Sequence, residues 1–145
     1  MKRSRSDAGS RRTSGSALEM LVRAARAARR RAYSPYSRYT VGASVLTASG
    51  AVISGCNVEN ASYGLSLCAE RVAIHRAVAE GHRRMRAVAV VTDSPSAMPC
   101  GACRQVMHEF GIREVIVAGP RGAPRAFRLD DLLSLPFDSS HLKPH

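Results

Sequence analysis

Three cysteines constrain this chain more than any other feature. Cys68 heads the run "CAERVAIHRAVAEG", and Cys100 and Cys103 come later, paired in "PCGAC". A Cys-x-x-Cys pair at the opening of a helix can place two sulfurs on one ion, and a distant cysteine can add a third. Three protein ligands leave a tetrahedral zinc with one open position, the arrangement of catalytic sites, whereas a structural site wants a fourth ligand. Cys56 is the only other cysteine. It could in principle close the site, although at the end of a strand it reads as a small buried hydrophobe. Redox dithiols share the Cys-x-x-Cys spacing, so the pair alone does not decide between metal and redox chemistry.

Glu70, two residues after Cys68, adds the deciding information. A C-x-E element followed by P-C-x-x-C is the all-cysteine version of the zinc deaminase signature. Zinc lowers the pKa of a bound water, and a carboxylate that is not a ligand can carry protons beside it. Glu70 is therefore the expected catalytic residue, and Cys68, Cys100 and Cys103 are the expected metal ligands. Three thiolates on Zn²⁺ leave a formal negative charge, which opposes ionisation of the water. Arg71, Arg104 and Gln105 are candidate compensating donors around the ligands, and two helix N-termini add positive dipole ends.

The rest of the chain reads as one α/β domain. Leu18, Leu21, Val22, Ala25 and Ala28 recur at helical spacing and predict a helix from Ala17 to about Ala32, stopped by "YSPYS". "VGASVLT" and "AVISGCNVE" predict two strands around an "ASG" turn. A second helix is expected from near Cys68 to Glu80 with Gly81 as its stop, and a third from near Cys100 to Gly111. "RAVAVVTD" and "EVIVAG" predict buried strands, "RAFRL" an edge strand, and "DDLLSL" a short helix with Asp130 near its N-cap.

Charge is concentrated at one end. Of a net charge of +11, residues 1–31 hold ten Lys and Arg against two Asp and Glu. Residues 1–16 lack the apolar content to fold and are expected to form a disordered basic tail before a domain spanning 17–145. A solubilising role is preferred for the tail, with a nucleic-acid contact permitted but less favoured. No apolar run is long enough to span a bilayer, and no apolar segment follows the early basic residues. A cytoplasmic protein with no membrane contact is expected. His75, His82 and His108 lack the spacing of a ligand set and read as structural or surface residues.

Four segments in order, "SPYSRYTVGA", "GCNVENASYG", "CAER" and "PCGACRQ", closely resemble the cytidine deaminase family in its short homotetrameric form, over roughly residues 17–140. The resemblance implies a three-layer α/β/α sandwich around a mixed five-stranded sheet and one zinc ion per subunit. It further implies that Asn57 and Glu59 grip the ribose hydroxyls, that the Ala69 backbone donates to the pyrimidine 2-oxo group, and that the Met98 carbonyl receives the departing ammonia. Tyr63 and Phe137 match positions that reach a neighbouring subunit's site, which implies a homotetramer with composite active sites. Tyr39 stands where the family usually has a Phe that stacks on the base. "LPFDSS" is shorter than the family's usual segment before its Phe, and the basic tail has no counterpart.

The implied reaction is zinc-dependent hydrolysis of cytidine and 2′-deoxycytidine to the uridine forms and ammonia, a step of pyrimidine salvage. Gripping a free 3′-OH with Glu59 would exclude a polynucleotide substrate. Two rivals remain. Blasticidin-type deaminases share the zinc motifs but lack the Asn-x-Glu-Asn run seen at 57–60. A zinc-stabilised nucleic-acid-binding module would have no use for Glu70.

Overall fold

A computed structural model describes residues 12–142. Eight principal elements follow in chain order: α1 (Gly15–Arg29), β1 (Gly42–Thr47), β2 (Val52–Cys56), α2 (Ala69–Ala79), β3 (Met85–Val91), α3 (Gly101–Glu109), β4 (Glu114–Ala118) and β5 (Arg125–Arg128), with a short α4 (Leu129–Leu132) after them. The strands form one sheet in the order β2-β1-β3-β4-β5. β3 and β4 are parallel, joined through α3, and every other neighbouring pair is antiparallel. This is the expected mixed five-stranded sheet.

The sheet is covered on both faces. On one, Leu21, Val22 and Ala25 of α1 pack with Leu46, Ala87, Ala89, Val91 and Ile116. On the other, Ala73, Ile74 and Ala77 of α2 and Met107 of α3 pack with Val45, Val88, Val90, Val115 and Val117. Alternation along β3 thus gives Ala87, Ala89 and Val91 to α1 and Val88 and Val90 to the α2/α3 layer. α1 lies so close to β1 that a Cβ built on Gly42 would fall 1.9 Å from the Ala25 carbonyl oxygen. Ser44, fully buried, donates to the Leu21 carbonyl at 2.6 Å and satisfies a polar group between the layers.

Local signals set most boundaries. Gly81, the expected stop of the second helix, has φ +99, a conformation open to glycine. α1 begins at Gly15, two residues before the expected Ala17. Ser14 caps α1 by accepting from the Ala17 N–H, and the Thr13 N–H donates to Glu114 Oε2 at 2.9 Å. Of the expected tail over residues 1–16, residues 1–11 lie outside the described residues. α1 also ends earlier than its pattern, at Arg29, where the chain turns toward "SPYS". α4 starts one residue before its expected cap: Arg128 is the N-cap, and the buried Leu129 leads the helix with Asp130 in its first turn.

Candidate active site

Cys68 and Cys100 both occupy helix N-caps, of α2 and α3, with extended backbones. A residue at that position normally spends its side chain on the helix's free N–H groups. Neither cysteine does so, and both sulfurs are left for other work. Cys103 sits in the first turn of α3 and is fully buried. Packing of α2 against α3 brings the three Sγ atoms within 4.8 Å of one another. Cys56 is not in this cluster. Its thiol, half-buried rather than buried, donates to the Arg31 carbonyl at 3.4 Å.

Sulfurs this close cannot all ionise unless a cation neutralises them. The coupling already polarises the trio: hydrogen bonding from Cys103, helped by Arg71, holds the Cys68 thiol down at about 5. Cys103 is pushed the other way, first by its hydrogen bond to Cys68 and then by burial. Arg71 Nη2 lies 3.7 Å from Cys68 Sγ and 3.5 Å from the Ser66 carbonyl oxygen. Its Nε is buried with no hydrogen-bond partner. An unpaired guanidinium donor beside three thiols fits a site that turns negative when a divalent metal draws off the thiol protons. The donor set is that of zinc, for which thiolate is a preferred ligand.

Glu70 is the buried carboxylate of the site, 5% exposed. Burial pushes its carboxyl up to about 7, and the charge on Cys68 adds to the rise. It can therefore hold a proton or release it near neutrality. Ala69, just before it, is buried at the first position of α2, where backbone N–H groups have no partner within the helix. Met98 lies half-buried in the loop leading to Pro99 and Cys100 and packs against the α2/α3 core.

The segment from Tyr33 to Val41 carries Ser37 and Tyr39 and runs beside Asn57 and Glu59. Two side chains from the strand-end run pin it. Asn57 Oδ1 accepts from the Val41 N–H at 2.8 Å, and its Nδ2 donates to the Tyr39 carbonyl at 2.7 Å. Glu59 Oε1 accepts from the Tyr36 and Ser37 N–H groups at 3.0 and 3.1 Å, and Oε2 accepts from the Ser37 hydroxyl. These donors, the hydroxyl foremost, hold the Glu59 carboxyl below its usual range. Arg38, between these anchors, has φ +59, a left-handed conformation a non-glycine residue adopts only when its surroundings impose it. The Tyr39 ring is 41% exposed. Tyr36, Ser37, Glu59, Tyr63 and Ser66 line a cavity of about 350 Å³.

The remaining expected residues fall in two places. Tyr63 projects from a single 3-10 turn, edge-on to Tyr36 with ring centroids 5.8 Å apart. Phe137 stacks on His141 at 5.3 Å, its carbonyl accepting from Gln105 Nε2 at 2.6 Å. Arg104 donates to the Pro99 and Leu132 carbonyls, both at 2.8 Å. The hydrogen-bond partners of Arg104 and Gln105 are thus backbone carbonyls, and of the three expected donors it is Arg71 that reaches a sulfur. Arg104 steadies the Pro99–Cys100 turn, and Gln105 ties down the C-terminal segment. Sequence reasoning gave no role to Ser37. The only signal was its place in "SPYSRYTVGA", because its partner Glu59 is remote in sequence.

The profile of the cytidine and deoxycytidylate deaminase zinc-binding region matches residues 16–119. Among curated proteins, a cytidine deaminase of Halalkalibacterium halodurans is 55% identical over 63% of this chain and 70% of its own length. One from Mycobacterium tuberculosis is 47% identical over 70% of this chain and 82% of its own. A blasticidin-S deaminase of Bacillus cereus is 28% identical over 51% of this chain. Among solved structures, the cytidine deaminase of Burkholderia pseudomallei superposes with a TM-score of 0.78 at 48% identity, covering 82% of this chain and 98% of that one.

Proposed function

The chain belongs to the zinc-binding cytidine and deoxycytidylate deaminase family, and from that membership we propose how its residues hydrolyse cytidine and 2′-deoxycytidine. The protein is a zinc-dependent hydrolytic deaminase: water adds at C4 of the pyrimidine, the bond from C4 to the amino nitrogen breaks, and a uridine and ammonia leave. The observation that carries the reading is the convergence of three sulfurs within 4.8 Å beside a buried carboxyl poised near neutrality.

Cys68, Cys100 and Cys103 would hold the zinc, which when bound supplies the Lewis acidity that makes water nucleophilic near neutral pH. Glu70 takes the first proton of the attacking water and passes it to the ring nitrogen, then takes the second from the new C4 hydroxyl and passes it to the amine that departs. A carboxyl near 7 suits both directions of transfer. Ala69 N–H donates to the 2-oxo group, and the Met98 carbonyl accepts from the leaving ammonia. Tyr39 stacks on the base. Glu59 has one acceptor site left over from its three loop donors for a ribose hydroxyl, and Asn57 keeps a donor and an acceptor site beyond its loop bonds. Arg71 offsets charge at Cys68.

Several features support the nucleoside reading over a modified-nucleoside one. The cytidine deaminases match at higher identity than the blasticidin enzyme, and the Asn-x-Glu-Asn run at 57–60 is present. An assembly with shared sites is supported by large apolar side chains left open on one chain: Tyr63, Leu65, Leu135, Phe137 and Leu142, between 57% and 92% exposed. No helix among the described residues is long and apolar enough to cross a membrane. A homotetramer acting in cytoplasmic pyrimidine salvage is consistent with this. The test is metal content measured with ammonia release from cytidine, deoxycytidine and CMP. Release from both nucleosides and not from CMP is expected. Zinc-loaded protein that releases none from either nucleoside overturns the reading.

A further inference from the structure

The sheet has a second charged end, remote from the cysteines. β3 starts at Met85 and runs toward the loop that leads to Cys100, and β4 lies parallel to it. β1 runs the other way: Gly42 pairs with Cys56 and Val91, and Thr47 pairs with Met85. The starts of β3 and β4 therefore lie six or so residues, roughly 20 Å, from the cysteine end. Five arginines gather there. Arg12 precedes α1, Arg83, Arg84 and Arg86 surround the start of β3, and Arg113 precedes β4, and all are exposed. Arg12, Arg86 and Arg113 line a groove of about 520 Å³. Arg12 and Arg113 continue into a second of about 170 Å³ with Arg128.

None of the five forms an ion pair among the described residues. Glu114 is the one carboxylate lining either groove, and its Oε2 already accepts from the Thr13 N–H. Like charges gathered on one face repel, and salt screens them only beyond about 8–10 Å. A surface needing solubility alone would intersperse both signs. Residues 1–11, outside the described residues, hold Lys2, Arg3, Arg5 and Arg11 against the single acid Asp7.

The chemistry selects the partner. Guanidinium forks suit phosphate oxygens. None of the large exposed apolar side chains lines these grooves, so the face has nothing to insert into a bilayer. Phe127, half-buried, is the single aromatic in the two linings, which leaves no platform for stacking bases. The cations spread over several segments and two grooves rather than ringing one small anion. We propose that this arginine face docks the phosphodiester backbone of nucleic acid, without reading bases, while the cysteine end of the sheet stays free for nucleoside turnover.

The test uses the full chain with fluorescein-labelled single and double strands of about 20 nucleotides, followed by anisotropy from about 50 to 300 mM salt. Sequence-independent binding is expected, weakening linearly in log salt. The pair Arg84→Ala with Arg113→Ala should make that slope shallower by about 1 per arginine. The pair Arg84→Lys with Arg113→Lys should keep it, and cytidine deamination should be unchanged in both. Three outcomes overturn the proposal. One is no binding at the lowest salt, and another is an unaltered slope in the alanine pair. The last is a stronger preference for phosphatidylserine vesicles or inorganic triphosphate than for the strands.

Discussion

Ser37 donates its hydroxyl to Glu59 Oε2 while its own N–H and that of Tyr36 hold Oε1. The carboxylate proposed to grip ribose is thus fixed by the loop opposite, and its charge is stabilised there. Because the shift is downward, the charged form persists below the ordinary carboxylate range and is lost only as pH falls through the lowered value. Ser37→Ala removes the largest contribution. Its expected effects are a higher KM for cytidine with a smaller change in kcat, and an upward move of the Glu59 carboxyl in a ¹³C NMR titration. An unmoved titration together with an unchanged KM would separate Ser37 from substrate binding.

Glu70→Gln keeps the shape of the site but cannot shuttle protons. Zinc content should stay at one per chain, because the carboxyl is not among the three clustered sulfurs. Ammonia release should fall by about 10²–10⁴-fold. Turnover at the normal rate would remove the proton-transfer role.

Arg71→Ala leaves Cys68 without its charged neighbour. Zinc affinity or activity should drop by about 10–100-fold, the usual effect of losing a group that orients a metal ligand. Competition with a chelator measures the first, and ammonia release the second. Equal retention and equal rate would mean that the thiolates need no compensation from this side chain.

The backbone around Tyr39 is held by Asn57 and Ser37, and its ring is partly open to solvent. Tyr39→Phe should therefore leave kcat/KM for cytidine almost unchanged. Tyr39→Ala removes the stacking face, worth about 1–3 kcal/mol for a base on an aromatic ring, and should raise KM accordingly. A large loss in the Phe variant would show that the hydroxyl itself contacts substrate.

Gly42 is set by close packing. A Cβ there would meet the Ala25 carbonyl oxygen at 1.9 Å and the Arg29 amide nitrogen at 2.5 Å, both backbone atoms of α1. Relief requires moving the helix off the sheet. Gly42→Ala should cost about 3 kcal/mol, the upper end for overpacking, read as a lower urea midpoint at unchanged slope. A midpoint within error of the parent would mean that α1 is more loosely seated than the structure has it.

The positions of the helices and strands were legible in the sequence because they rest on local signals. The valine-rich runs of β3 and β4, the helical period of Leu21 and Ala25, and the glycine stop at Gly81 all act within a few residues. The cysteine cluster was legible for a related reason: Cys-x-x-Cys and C-x-E are short motifs whose chemistry follows from spacing. The bond of Ser37 to Glu59 and that of Arg104 to Leu132 were not, since each depends on a residue more than twenty positions away.

The amino-acid order alone therefore determined the layers, the cysteine trio and the acid beside it. Tertiary structure decided the rest: that two helix N-caps meet, that Arg71 rather than Arg104 or Gln105 faces a sulfur, that a loop serine holds Glu59, and that arginines from separate segments share one end of the sheet. The physical reason is range. Backbone propensity and motif spacing act between neighbours in the chain, whereas hydrogen bonds, burial and summed charge act between neighbours in space.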